Sequence, residues 1–145
     1  MQPANFALAA EFLESTPEPA LIKSADGTYL FINAAFERAF GVKKSDVIGR
    51  KADELWGDYI TDNANRSDAD ILADGDTLSY EINYKRGDGT SIDLLVRKFL
   101  MTDKDDVRLI GVTYSDITKL KNVERELAES EERYALASHE VGIWD

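Results

Sequence analysis

The chain has 145 residues, 17 basic against 28 acidic, one histidine and no cysteine, for a net charge of −11 at pH 7. That length holds one domain with an appendage and buries enough surface to need no disulfide or metal staple. The charge makes nucleic acid and anionic membrane poor partners, and the absence of thiols excludes disulfides, thiolate metal sites and cysteine nucleophiles.

Taken in order, Phe6, Ala9, Ala10 and Leu13 share one face of a short lead-in helix over residues 5–14, ended by Ser15-Thr16-Pro17-Glu18-Pro19. Ala20-Leu21-Ile22-Lys23 reads as a strand, Asp26-Gly27 as a turn and Thr28-Tyr29-Leu30-Phe31-Ile32 as the returning strand. Asn33 is a candidate N-cap for a helix over 34–40 that Gly41 stops. Ser45 is a candidate cap for a further turn ending at Gly49. Short helices are expected over 50–56, carrying Leu55 and Trp56, and over 61–74, stopped by Gly75.

The last third is β in pattern. Leu78, Tyr80, Ile82 and Tyr84 alternate with polar residues, so one face is buried and one is wet. Gly87-Asp88-Gly89 is a hairpin turn. A long strand over 90–101 follows, with Leu95, Phe99 and Met101 giving it an unusually apolar second face. A charged turn leads to a last strand over 108–115, and a helical pattern runs from there to the end. Strands grouped at the two ends, with short helices between, predict an α+β fold: an antiparallel sheet with its helices on one face.

Several motifs in order resemble a PAS domain. Ala20-Leu21-Ile22-Lys23-Ser24-Ala25-Asp26-Gly27 with Tyr29-Leu30-Phe31-Ile32-Asn33-Ala34-Ala35-Phe36 resembles its opening hairpin and first helix. Phe40-Gly41 through Val47-Ile48-Gly49-Arg50, then Arg86-Gly87-Asp88-Gly89-Thr90, then the closing Asp116-Ile117-Thr118, complete the set. The resemblance implies a five-stranded antiparallel sheet: a lead-in helix over 1–14, the domain over 15–118 and a signalling-helix linker over 119–145. Glu132-Arg133-Tyr134-Ala135-Leu136-Ala137, with Gly142-Ile143-Trp144-Asp145, resembles the start of a second PAS module. The expected setting is therefore a longer bacterial-type signalling protein, whose output would be a histidine kinase or a cyclic-dinucleotide or nucleotide cyclase outside this chain. The domain itself is expected to be regulatory and not an enzyme.

At the joint, an Asp116 carboxylate can accept from the first amides of the following helix, Thr118 can add a hydroxyl bond, and Ile117 can brace against the core. Under the resemblance these three would relay strand motion into helix motion. In that helix Leu120, Val123, Leu127, Ser130, Tyr134, Ala137 and Val141 fall at alternating three- and four-residue steps. A parallel homodimer through a weak coiled coil is expected, the other reading being a single solvated helix.

The resemblance also implies a ligand site between the inner sheet face and the short helices. Its expected lining includes Phe36, Trp56, Tyr80, Tyr84, Leu94, Val96 and Tyr114, with Leu30, Ile32, Phe40, Ile48, Leu55, Ile71 and Leu72 also opposing the sheet. A filled, ligand-free core serving a structural interaction module is the other reading. Lys98 shares the inward parity, yet near its strand end it is expected to reach solvent. Asp58, Asp62, Asp68, Asp70, Asp74 and Asp76 fail the spacing of a calcium loop and read as a solvated helix face. Without cysteine, cysteinyl-flavin photochemistry cannot run; the lone histidine, His139, lies in the rod and leaves haem no pocket ligand; flavin held without a covalent bond is compatible with the sequence. Asn65-Arg66-Ser67 matches a glycosylation acceptor with nothing to suggest secretion. No apolar run approaches a membrane span and the first residues lack a signal peptide's basic start, so a cytoplasmic segment is expected, with a membrane segment upstream in the parent left open.

Overall fold

The computed structural model describes residues 3–140. The elements run α1 (Pro3–Ser15), β1 (Ala20–Ser24), β2 (Tyr29–Ile32), α2 (Ala34–Phe40), α3 (Lys44–Val47), α4 (Ala52–Leu55), α5 (Asp58–Asp74), β3 (Leu78–Lys85), β4 (Ser91–Thr102), β5 (Arg108–Asp116) and α6 (Thr118–Glu140). The strands form one antiparallel sheet in the order β2-β1-β5-β4-β3. The first and last thirds of the chain therefore meet at β1 and β5, in the middle of the sheet.

The period-two pattern sets the inner face. Ile82, Ile92, Leu94, Val96, Ile110 and Val112 are buried on it, against Phe36, Val47 and Ile71 from the helices. Ile32, expected to oppose the sheet, is a residue of β2 and so belongs to the sheet itself, where it is fully buried. Leu30 and Ile48 depart from expectation, since both are exposed. The β1–β2 register steps from Ile22↔Phe31 to Lys23↔Tyr29. The irregularity passes over Leu30 and brings Tyr29 inward in its place. Ile48 follows α3 as its C-cap, where the backbone turns extended. Ser45 does not cap α3: it lies inside the helix, whose N-cap is Lys43. The fifth helix also starts earlier than expected, at Asp58, so the polar segment is continuous for 17 residues.

Asn33 is the strongest local organiser. Its side chain caps α2 by accepting from Phe36 N–H at 2.9 Å and also accepts from Ala20 N–H at 3.0 Å. Its amide donates to Leu13 O at 2.8 Å and Glu18 O at 2.9 Å. One side chain thus ties α1, the Pro-rich link, β1 and α2 together.

On the outer face α1 borders an apolar groove lined by Leu8, Phe12, Ile22, Phe99, Met101 and Gly111. The side chains of Phe6 and Ala9, counted above with the face of this helix, lie outside the described residues. The glycine at 111 is required by close approach: a Cβ there would press into the Phe99 ring and come within 2.9 Å of Met101 Sδ. Gly111→Ala is expected to displace Phe99 and cost about 1–3 kcal/mol. Urea unfolding monitored by circular dichroism checks this.

No described helix is long and apolar enough to cross a membrane.

Candidate functional site

Between the sheet and α2, α4 and α5 lies an interior cavity of about 20 Å³, room for roughly one water molecule. Phe36, Trp56, Tyr80, Tyr84, Val96 and Tyr114 line it. Leu94 does not. It borders a separate groove with Pro17, Ala35 and Arg38 near the base of α6.

Aromatic packing is what fills the interior. The Phe40 ring lies 4.5 Å from Phe36, 4.9 Å from Tyr84, 5.2 Å from Tyr114 and 5.7 Å from Trp56, centroid to centroid, in tilted or edge-on pairs. Such geometries suit the ring quadrupoles. Trp56 Nε1 donates to the Tyr29 hydroxyl at 3.0 Å, and the Tyr80 hydroxyl shares a hydrogen bond with Ser67 Oγ at 3.2 Å. Burial pushes the Tyr29 phenol up to about 12 and raises Tyr80 and Tyr114 as well, so all three stay protonated near neutrality.

Next to these phenols sits a charged triad. Lys98 Nζ lies 2.7 Å from Asp68 Oδ1, and Lys23 Nζ lies 2.7 Å from Asp68 Oδ2. Both lysines are 2% exposed and Asp68 is 7% exposed. Two expectations are corrected here. Lys98 does not reach solvent, because it meets Asp68 and donates to Ala64 O at 3.1 Å inside the core. Asp68 is not part of a solvated face: α5 turns it inward beside the buried Ala64, Ser67 and Ile71, while its acidic neighbours Asp62, Asp70 and Asp74 stay exposed. Burial, then the neighbouring Lys98 charge, brings Lys23 down to about 8, and burial lowers Lys98 too.

Neither Lys23 nor Tyr29 was singled out from the sequence as a site residue. Lys23 carried one available signal, since its parity with Leu21 in β1 points it at the inner face.

The joint has its own geometry. Asp116 Oδ1 accepts from Thr118 N–H at 3.0 Å and from the Thr118 hydroxyl at 2.6 Å. Asp93, which the sequence did not single out, grips the same turn from β4. Its carbonyl accepts from Ile117 N–H at 2.8 Å, and its own N–H donates to Thr118 Oγ1 at 2.9 Å. Its carboxylate holds Arg125 at 3.1 Å and Asn83 at 3.0 Å. The Asn83 hydrogen bond first, and the Arg125 contact after it, keep that carboxyl below its usual range. Lys121 adds a contact to Glu81 of β3 at 3.0 Å. Beyond this base, Leu120, Val123, Leu127 and Tyr134 of α6 are exposed. Val141, the segment from Gly142 to Asp145 and the His139 side chain lie outside the described residues.

A five-stranded antiparallel sheet with short helices on its inner face and a long helix leaving its last strand defines the class of PAS domains. The sequence matches the family described as the PAS fold over residues 13–122, and the chain belongs to that family. No curated protein sequence matches it. Among solved structures it is similar to an RNA-binding light-oxygen-voltage receptor, at TM-score 0.70 and 19% identity over 91% of this chain and 39% of that one. It therefore spans well under half of that receptor. It is also similar to the PAS domain of BvgS from Bordetella pertussis, at TM-score 0.66 and 18% identity over 90% of this chain and 98% of that one. A PAS domain from a two-component sensor histidine kinase matches at TM-score 0.61 and 13% identity, over 78% of this chain and 96% of that one. These identities speak for the fold alone.

Proposed function

We propose that this PAS domain is a cytoplasmic regulatory module of a larger signalling protein. It senses a small molecule at the inner sheet face and passes the signal through α6, paired in parallel with the α6 of a second copy. A two-component histidine kinase is the favoured parent, in line with one of the structural relatives, and a cyclase is the other candidate output. The 119–145 segment then serves as the connector to a following PAS module.

The observation that carries this reading is the double backbone grip of Asp93 on Ile117 and Thr118. Asp93 sits between Ile92 and Leu94, both buried in the core. A shift of β4 therefore moves the base of the rod directly. The exposed stripe of Leu120, Val123, Leu127 and Tyr134 suits pairing with a second helix. A weak pairing gives the two-state element that a relay needs.

Leu127→Glu tests the pairing. The unaltered chain is expected to sediment as a dimer at tens of micromolar, and the variant is expected to weaken association by about tenfold or more. A monomeric mass for the unaltered chain would remove the pairing step.

The size of the cavity favours a second reading, in which a filled core serves a ligand-free dimerisation module. About 20 Å³ holds no metabolite unless side chains move.

A further inference from the structure

The walls of the interior cavity are rich in donors and carry surplus positive charge. Lys23 and Lys98 both line it, and no carboxylate does. Behind them a single Asp68 serves both ammonium groups. Two buried cations against one buried anion leave one positive charge without a counter-charge, an expensive arrangement in a low-dielectric interior.

The hydrogen-bond count points the same way. The Tyr29 hydroxyl accepts from Trp56 Nε1, which leaves its own proton to give. Tyr114 borders the cavity as well. An ammonium has three N–H groups, and Lys23 has an ion-pair partner only in Asp68 among the described residues. An acceptor carrying one negative charge would complement this lining.

We propose that the cavity is the binding site of a small monocarboxylate. Its headgroup is held by Lys23 Nζ with the Tyr29 and Tyr114 hydroxyls, and its apolar remainder lies against Phe36, Phe40 and Trp56. The proposal rests on the sensing reading and names the ligand class of that site. A carboxylate brings the buried charge to zero. A phosphate dianion would overshoot to a buried negative charge, and a cationic ligand would add to the surplus.

Entry has a defined route. Trp56 and Tyr84 wall the interior cavity on one side and an open surface groove with Leu55, Tyr59 and Asn83 on the other. Ile60 lines both as well, so a ligand larger than water that enters from this groove displaces these side chains. Burial first, and the Lys98 charge after it, lower the proton affinity of Lys23.

The test uses the unaltered 145-residue chain, with sodium benzoate, phenylacetate, butyrate and acetate as probes. Benzyl alcohol and benzylammonium chloride are the neutral and cationic controls at matched ionic strength. Tryptophan fluorescence and thermal melting are the readouts. At least one carboxylate is expected to change the fluorescence saturably and raise the melting temperature. Benzyl alcohol is expected to bind at least about tenfold more weakly than benzoate. Lys23→Met is expected to erase that difference. If alcohol and acid bind equally, or if Lys23→Met binds the acid unchanged, the anion site is wrong while a sensing pocket stands. If no probe binds, the proposal falls and the ligand-free reading replaces it. The acid-to-alcohol contrast is read on the native chain, so a misfolded variant does not leave the question open.

Discussion

Asp68→Leu is expected to destabilise the domain by about 3–5 kcal/mol, because it leaves two lysines buried without their shared counter-charge. In a domain whose total stability is of order 5–15 kcal/mol, that brings the chain to the edge of unfolding. For a chain of this size the melting temperature should fall by roughly 10 °C or more. Replacing all three charges together, with Lys23→Met, Asp68→Leu and Lys98→Met, should recover most of the loss, since an apolar trio of similar volume requires no desolvation of charge. Thermal melts of the single and triple variants check both statements.

The triad also gives the native protein an unusual pH profile. Lys23 titrates at about 8 in the folded chain against 10.5 when unfolded. Between those values the unfolded chain binds the extra proton, so stability rises with pH. The cost of burying the ammonium is present in full below pH 8 and relieved towards 10.5. The gap corresponds to on the order of 3 kcal/mol. The groups packed around Lys23 act in different directions. Lys98 on β4 is also lowered by burial, and it adds to the rise. The phenols Tyr29, Tyr80 and Tyr114 are raised above 10, and they oppose it once the unfolded chain ionises there. Stability measured in urea should therefore climb from pH 8 to about 10 and then turn down. The climb should largely vanish in Lys23→Met.

Asn33→Asp is the second large effect, about 2–4 kcal/mol from a change of one atom. Asn33 is 0% exposed, and all four of its hydrogen-bonding positions are used. An aspartate keeps the two bonds accepted from Ala20 and Phe36. It loses both donations and sets a carboxylate oxygen against the carbonyls of Leu13 and Glu18. A protonated aspartate can restore one donation, so the variant should lose less stability relative to the native chain at acidic pH than at neutral pH. Because Leu13 is the α1 end of this network, amide exchange in α1 should quicken more than exchange in β4. Urea titrations at two pH values and hydrogen exchange measure these outcomes.

What could be read from the sequence follows from the range of the interactions. Leu78, Tyr80, Ile82 and Tyr84 declare their face through strict alternation, and the Asp-Gly turn fixes their neighbours. Asn33 is legible as a cap because capping is local. Its grip on Leu13 O and Glu18 O is not, because it depends on where α1 comes to rest. The triad was hidden for the same reason. Lys23, Asp68 and Lys98 come from three distant elements, and each alone looks like a surface charge. Parity places Lys98 on the inner face, yet its position near the strand end argues for a long side chain reaching back to solvent. Asp68 was lost among five other acidic residues, although Ala64, Ser67 and Ile71 mark the same inward side of α5. Leu30 fails because one register step in β1–β2 exchanges it with Tyr29. Asp93 carries no local signal of its own, and only the docked base of α6 shows what it holds.

A change in the interior is expected to reach the rod through β4. The most direct test compares amide resonances of the native chain and Lys23→Met by two-dimensional NMR. Lys23 lies on β1, with β5 between it and β4. Shifts are expected at Ile92, Asp93 and Leu94, continuing into Ile117, Thr118 and the first turns of α6. Shifts confined to β1, β5 and the cavity walls, with Asp93 and α6 unmoved, would contradict it.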